Sequence, residues 1–360
     1  MGSISAPSVS QELADLPCLN IAKIYAKDGL EIQRLLEAGQ KYGFFYLDLR
    51  TEMSKQFLED WESTLRFMDG YFHRDISEKM KDARNSDTHG YEPVGTSAGS
   101  SENHRDCYES LKVRWPQQEK TGDLIDASSR KQWLQMSDDE MAIKAPQLPP
   151  TVLKNYDHFK RFQTFCHETC MEILDCMSSA LGMDGDASLT LKHRAGRPTL
   201  STLSLFLYPK QEGPSELVGH NKHTDLGTLT FLLCEQWGLQ VLRPDTGAWH
   251  WVEPRRGHAI INVGDALRFL SGDRLLSAVH RVAPHGGAEY QDHDRYSIVY
   301  FLRPENDVTY RNAKGEFVTA KQWHDEKFDV FRLEHEQQEK APILCGGMER
   351  RGNFVGTIKV

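Results

Sequence analysis

From Thr199 onward the chain is built of short apolar runs rich in β-branched and aromatic residues. They are Thr202–Tyr208, Gly227–Leu233, Leu239–Leu242, Ala259–Val263, Ala266–Leu270, Ala278–Val282 and Arg295–Leu302. Turn-forming residues separate them: Pro209, Gly238, Pro244-Asp245-Thr246-Gly247, Gly264-Asp265, Ser271-Gly272-Asp273 and Gly286-Gly287. Runs this short cannot bury a face alone, and many of them at close spacing close into a sandwich or barrel. A mainly β core is therefore the first expectation.

The flanks read differently. Leu16–Ile21 reads as a short strand, and Asp28–Tyr42 has helical spacing that Gly43 ends as a glycine just past a helix does. Phe44–Leu49 follows as an aromatic strand, residues 52–82 as charged helix, and residues 85–104 as a long loop rich in Gly and Ser. Val152–Leu181 carries an aromatic stripe suited to a backing helix, and Ala320–Gln338 reads as a polar C-terminal helix. No repeat interrupts this order of helix and strand, helix, β core, helix.

Composition narrows the function class. A net charge of -9 argues against a nucleic-acid partner. No run of about 18 apolar residues predicts a membrane span. Met1–Leu16 is Ser-rich without a basic flank and apolar centre, so it reads as a frayed tail rather than a signal peptide. The seven cysteines include no C-x-x-C pair. They read as small buried hydrophobes in a reducing compartment, which makes a cytoplasmic location the expectation.

His223-Thr224-Asp225 is the chemically richest triplet. On an extended backbone residues i and i+2 point the same way, so His223 and Asp225 can reach one ion from a strand end. His280 lies 54 residues beyond Asp225, inside a strand-like run. Two histidines and one carboxylate are the donor set of a non-haem Fe(II) site with open coordination positions. With 15 histidines in the chain an H-x-D can arise by chance. His220 is a rival ligand, while His285 and His293 sit in a polar stretch that favours solvent. Arg295-Tyr296-Ser297 discriminates. Arg295, Ser297, Val299 and Phe301 share one face of a strand, and a guanidinium inside a barrel needs an anion, which it binds as a fork. That combination reads as a metal with a carboxylate receptor beside it.

The order H-x-D, H, R-x-S resembles the isopenicillin N synthase-like branch of the 2-oxoglutarate/Fe(II)-dependent dioxygenases. The resemblance spans nearly the whole chain: Leu16–Ile21 with Gly43-Phe44-Phe45-Tyr46, Leu207-Tyr208-Pro209, Asn262-Val263-Gly264-Asp265, and a C-terminal stretch from Trp323 to Glu349 that resembles fungal small-metabolite tailoring members. It implies a double-stranded β-helix (jelly-roll) core with flanking helices. It also implies an N-terminal α/β segment over 1–125, a dioxygenase core over 195–305, and a C-terminal helix and tail over 306–360. Carried over by position, His223, Asp225 and His280 would hold Fe(II). Arg295 and Ser297 would bind the distal carboxylate of 2-oxoglutarate, with Tyr208 as a third donor. Two departures stand out. Fourteen residues separate His280 from Arg295, a surplus placed in a Pro284–Asp294 hairpin, and Phe206 stands where the family often has Asn.

The implied reaction couples O2 and oxidative decarboxylation of 2-oxoglutarate to attack on a small molecule. Its outcome is hydroxylation, desaturation, epoxidation or rearrangement. Tyr91, Leu203, Leu205, Phe301 and Phe328 are the expected substrate contacts, suited to an apolar or aromatic ligand. Two other readings share the barrel: an iron oxidase that uses no 2-oxoglutarate, and a non-catalytic small-molecule-binding protein. The substrate and the oligomeric state stay open.

Overall fold

A computed structural model describes residues 12–96, 107–114, 148–210, 220–243, 245–283, 293–333 and 335–348. The start of the N-terminal tail, positions 97–104 of the expected loop, His285 and most of the 284–294 hairpin lie outside the described residues.

Two sheets face each other. In chain order their strands are β1 (Cys18–Asn20), β2 (Phe44–Asp48), β3 (Gly90–Glu92), β4 (Glu109–Arg114), β5 (Thr202–Tyr208), β6 (His220–His223), β7 (Leu229–Leu233), β8 (Leu239–Leu242), β9 (Trp249–Trp251), β10 (His258–Val263), β11 (His280–Val282) and β12 (Arg295–Leu302). The major sheet runs β1-β2-β10-β7-β12-β5-β4-β3 and the minor sheet β6-β11-β8-β9. Only β1–β2 pairs parallel among these strands.

The period-2 pattern of the major sheet splits the interior in two, because alternate side chains leave opposite faces. Phe45, Leu47, Leu203, Leu205, Leu207, Phe231, Ile298 and Tyr300 face the helices, where Phe57, Phe159, Phe162 and Ile173 cover them. Phe44, Tyr46, Phe206, Tyr208, Leu232 and Val299 face the minor sheet's Leu239, Val241 and Val282. This second, smaller core is the inside of the jelly roll. Both faces of the strands are buried, so these runs read as continuously apolar.

The helices follow the sequence. Asp28 caps Gly29–Lys41 by accepting from the Glu31 amide, and Gly43 takes a left-handed φ of 67° past its end. Tyr156–Ala180 is the backing helix. One expectation fails: Ala266–Leu270 is not a strand but part of the helix Asp265–Leu270. Ala266 and Phe269 are buried in one cluster and Leu267 in another, and Arg268 is buried as well, so no exposed polar face marks the period. The C-terminal helix divides into Ala320–Phe331 and His335–Glu339. Gln338 folds back to donate to the carbonyls of Phe331 and Leu333, satisfying groups that a helix end leaves open. The expected 85–104 loop contains β3, and β4 lies outside every element the sequence pattern suggests. Among the described residues no helix is long and apolar enough to cross a membrane.

Candidate active site

His223 ends β6 and His280 begins β11, and the two pair directly across the minor sheet. Asp225 follows two residues after β6. His223, Asp225 and His280 are buried, and one donor atom from each lies within 4.8 Å of the others. His223 Nε2 is 3.6 Å and His280 Nε2 is 3.8 Å from Asp225 Oδ1. These gaps are too long for hydrogen bonds and suit three ligands around a common centre.

The neighbours fix which atoms face that centre. His223 Nδ1 lies 2.7 Å from the Asn221 carbonyl and His280 Nδ1 lies 3.1 Å from the Ala278 carbonyl. Each carbonyl takes the Nδ1 proton and leaves Nε2 as a lone pair toward the middle. Asp225 Oδ2 accepts from Asn262 Nδ2 at 2.7 Å and from Thr230 Oγ1, so Oδ1 is the oxygen that remains. Burial raises the Asp225 carboxyl's pKa, but the His280 and His223 rings outweigh it and hold the group well below the carboxylate range. Burial pushes His280 down to about 4, so its ring is neutral at neutral pH. Two imidazole nitrogens and one carboxylate oxygen fit Fe(II).

A second buried network holds the loop between these ligands. Thr224 Oγ1 donates to Asp265 Oδ2 at 3.0 Å, Ser277 Oγ to Asp265 Oδ1 at 2.8 Å, and Lys327 Nζ to Asp265 Oδ2 at 2.7 Å. The Asp265 amide in turn donates to the Asp225 carbonyl at 2.7 Å.

Arg295 pairs with Tyr208 and Ser297 with Phe206 across β12 and β5. Arg295, Ser297 and Tyr208 are all buried inside the jelly roll. Arg295 Nε donates to the Trp237 carbonyl at 2.9 Å, its Cζ lies 4.9 Å over the Tyr208 ring, and Ser297 bonds the Tyr208 hydroxyl. Its Nη1 is buried with no hydrogen-bond partner. A buried cationic nitrogen without a partner is the fit that a dicarboxylate co-substrate requires.

His220 stays outside the triad, stacked on Tyr108 at 5.1 Å with the ring planes 1° apart, and burial holds its pKa well below the usual value. His293 is exposed. Of the expected substrate contacts, Phe301 borders the interior core, and Phe328 on the C-terminal helix packs against the cluster around Phe269 and Trp323 with its ring 5.9 Å from that of Phe331. Leu203 and Leu205 must be corrected: they lie on the odd-numbered face of β5, packed against the helices and turned away from the metal ligands. Tyr91 belongs to the same helix-side core, where its hydroxyl donates to Glu109 at 2.5 Å. The position of Tyr208, on the even-numbered face, already put Leu203 and Leu205 on the opposite one. Sequence reasoning missed Thr230, Lys327, Phe331 and Arg303, none of which carries a local signal. The ion pair Lys112–Glu92, at 2.6 Å with the lysine buried, was hidden because β3 and β4 were not foreseen.

Comparison with known proteins agrees with this geometry. A family model described as the 2OG-Fe(II) oxygenase superfamily matches residues 191–304, and one described as the N-terminal region of a non-haem dioxygenase in morphine synthesis matches residues 16–136. The chain is 51% identical to the oxidoreductase vrtI of Penicillium aethiopicum, over 95% of this chain and 77% of that protein. It is 47% identical to the 2-oxoglutarate-dependent dioxygenase frbH of Dothideomycetidae sp., over 94% and 97% of the two chains. It is 43% identical to the 2-oxoglutarate-dependent dioxygenase gloE of Glarea lozoyensis, over 96% of each. Among solved structures, a full-length Neurospora crassa protein in complex with alpha-KG shares the fold with a TM-score of 0.63 at 21% identity, covering 87% of this chain and 96% of that one. The rice dioxygenase for auxin oxidation shares it with a TM-score of 0.62 at 19% identity, covering 89% and 98%.

Proposed function

The chain belongs to the 2OG-Fe(II) oxygenase superfamily and is a 2-oxoglutarate- and Fe(II)-dependent dioxygenase, and on that premise we propose which residues do the work and on what. His223, Asp225 and His280 hold the metal. Arg295, with Ser297 and Tyr208, receives the distal carboxylate of 2-oxoglutarate. The substrate is a small secondary metabolite entering between the β12 end and the C-terminal helix. Residues 1–125 form the N-terminal α/β segment of the family, 195–305 the dioxygenase core that carries the chemistry, and 306–360 a C-terminal segment.

Fe(II) with 2-oxoglutarate and O2 supplies the oxidising power, releasing succinate and CO2. The residues supply placement. The Nδ1 bonds to Asn221 and Ala278 aim both imidazoles, and the bonds from Asn262 and Thr230 leave Asp225 one free oxygen. Arg295 would neutralise and orient the co-substrate's distal carboxylate as a two-pronged donor. The buried wall of Phe44, Phe206 and Val299 excludes water from this space.

The observation that carries the reading is the orphaned Arg295 Nη1 on the same interior as the three ligands. Anaerobic addition of 2-oxoglutarate to the Fe(II)-loaded protein should give a charge-transfer absorption. Arg295→Lys, which keeps the charge but loses the fork, should require at least about tenfold more 2-oxoglutarate to reach it. An unchanged requirement in that variant rules the receptor role out. Metabolite profiling after gene deletion then identifies the substrate class.

A further inference from the structure

The strand that carries Arg295 ends beside a second buried arginine, for which the co-substrate has no use. Arg303 continues the face of Arg295, Ser297, Val299 and Phe301. At about 3.3 Å per residue it stands about 26 Å along the chain from Arg295. The metal ligand Asp225 lies abreast of the intervening stretch: Phe301 pairs with Thr230, whose hydroxyl holds Asp225. The Arg303 stem lies against the metal-binding loop, where a Cβ on Gly227 would come within 3.1 Å of Arg303 Cγ.

Its polar inventory is incomplete. Arg303 is 6% exposed. One guanidinium nitrogen, Nη1, donates to the Leu200 carbonyl, and Nε is buried with no partner. No carboxylate among the described residues lies within ion-pairing distance. Asp87 is taken by Arg332 and Asp325 by Lys321. A buried guanidinium without an anion is unfavourable unless a ligand completes it.

A second incomplete group faces the same place. His324 is 3% exposed, and its Nε2 is buried without a partner. Its Nδ1 lies 3.1 Å from Asp325 Oδ1, which takes the Nδ1 proton and leaves Nε2 as an acceptor. Burial and Arg303 hold the ring neutral, pushing it down to about 3. The walls are aromatic. His324 stacks on Phe328 with centroids 4.4 Å apart, and Arg303 Cζ lies 5.4 Å from the Phe301 centroid and 5.9 Å from that of Phe328. The ring series continues to the metal ligand: Phe328 to Phe331 at 5.9 Å and Phe331 to His223 at 5.8 Å.

We propose that Arg303 and His324 are a substrate-anchoring pair, and that the substrate is a planar aromatic carboxylate carrying a hydroxyl. Arg303 takes the carboxylate, His324 Nε2 accepts from the hydroxyl, and Phe301 and Phe328 contact the ring faces. This rests on the dioxygenase site beneath it, because the anchor serves to place a carbon of that ring system over the metal.

The test uses the full-length protein loaded with Zn(II) and saturating 2-oxoglutarate, a complex that cannot turn over, titrated by calorimetry with 3-hydroxybenzoate. The meta arrangement avoids chelation of the metal. The wild type should bind 3-hydroxybenzoate more tightly than 3-hydroxybenzamide. Arg303→Gln should weaken the benzoate at least about tenfold and erase the preference, and Arg303→Lys should fall between. His324→Phe should weaken 3-hydroxybenzoate but not benzoate. All three variants should keep wild-type affinity for 2-oxoglutarate, which also reports their folding. A wild type that binds 2-oxoglutarate but not 3-hydroxybenzoate overturns the proposal. So does an Arg303→Gln protein that binds it unchanged, or a loss equal for benzoate and benzamide. A wild type that binds no 2-oxoglutarate instead overturns the co-substrate site on which the anchor depends.

Discussion

Lys327→Met tests whether the C-terminal helix braces the metal loop. Lys327 and Asp265 are both fully buried, their charged ends 2.7 Å apart, and Lys327 Nζ also lies 2.8 Å from Thr224 Oγ1. Methionine fills nearly the same volume and removes the charge, leaving Asp265 with the Thr224 and Ser277 hydroxyls and Arg268 at 3.6 Å. Breaking one side of a buried pair costs about 3–5 kcal/mol. The unfolding entropy of a 360-residue chain, at about 2.1 cal/mol/K per residue, is about 0.76 kcal/mol/K. The loss therefore corresponds to a Tm about 4–7 °C lower by calorimetry or circular dichroism. Removing the counter-charge as well, in Lys327→Met with Asp265→Asn, should recover at least about 1 kcal/mol relative to the sum of the single changes. A single variant within about 1 °C of the wild type, or a double variant that is strictly additive, would refute the brace. Metal titration adds a readout beyond stability: Thr224 sits between two ligands, so Zn(II) affinity should fall in Lys327→Met.

Thr230→Val keeps shape but removes one of the two donors to Asp225 Oδ2. Metal affinity by calorimetric titration should drop about 10–100-fold, and an unchanged value would show that Asn262 alone orients the carboxylate. Gly238 has φ 135°, and a Cβ there would lie 2.8 Å from Arg295 Nε. Gly238→Ala should raise the 2-oxoglutarate dissociation constant while leaving Zn(II) binding intact, and equal effects on both would contradict a local cause. His193 is buried between the Leu189 carbonyl and the Thr228 hydroxyl, and burial pushes its pKa down to about 4. An unfolded histidine titrates near 6.5, so only the unfolded chain takes up this proton as pH falls from about 6.5 to about 4. Up to about 3 kcal/mol of stability is lost in that window. His193→Gln should flatten that acid limb in urea unfolding, and a limb of unchanged slope would place the titration elsewhere.

How much was legible in the sequence depended on whether the signal was local. His223, Asp225, His280 and Arg295 stand at fixed offsets on strand-like runs, and their chemistry needs those offsets, so they could be read directly. The strands β1, β2, β5, β7, β10 and β12 of the major sheet were legible because their apolar runs are bounded by turn residues, whereas β3 and β4, with charged residues in their runs, were not. Ala266–Leu270 was not, because a segment buried on every side shows neither a 2.0 nor a 3.6 period. The orphaned groups on Arg303 and His324 were invisible for a different reason. Their state depends on what other elements fail to offer them, which only the assembled structure displays.

β12 has a consequence for how specificity can change. Its alternation admits shifts only in two-residue quanta of about 6.6 Å. A single inserted residue between Ser297 and Arg303 would swing the arginine through to the helix side and leave the mouth without a cation. The reach from oxidant to anchor is therefore digital along the strand. Fine adjustment is left to side-chain length at position 303 and to positions 324 and 328 on the helix opposite, which can vary without disturbing Arg295.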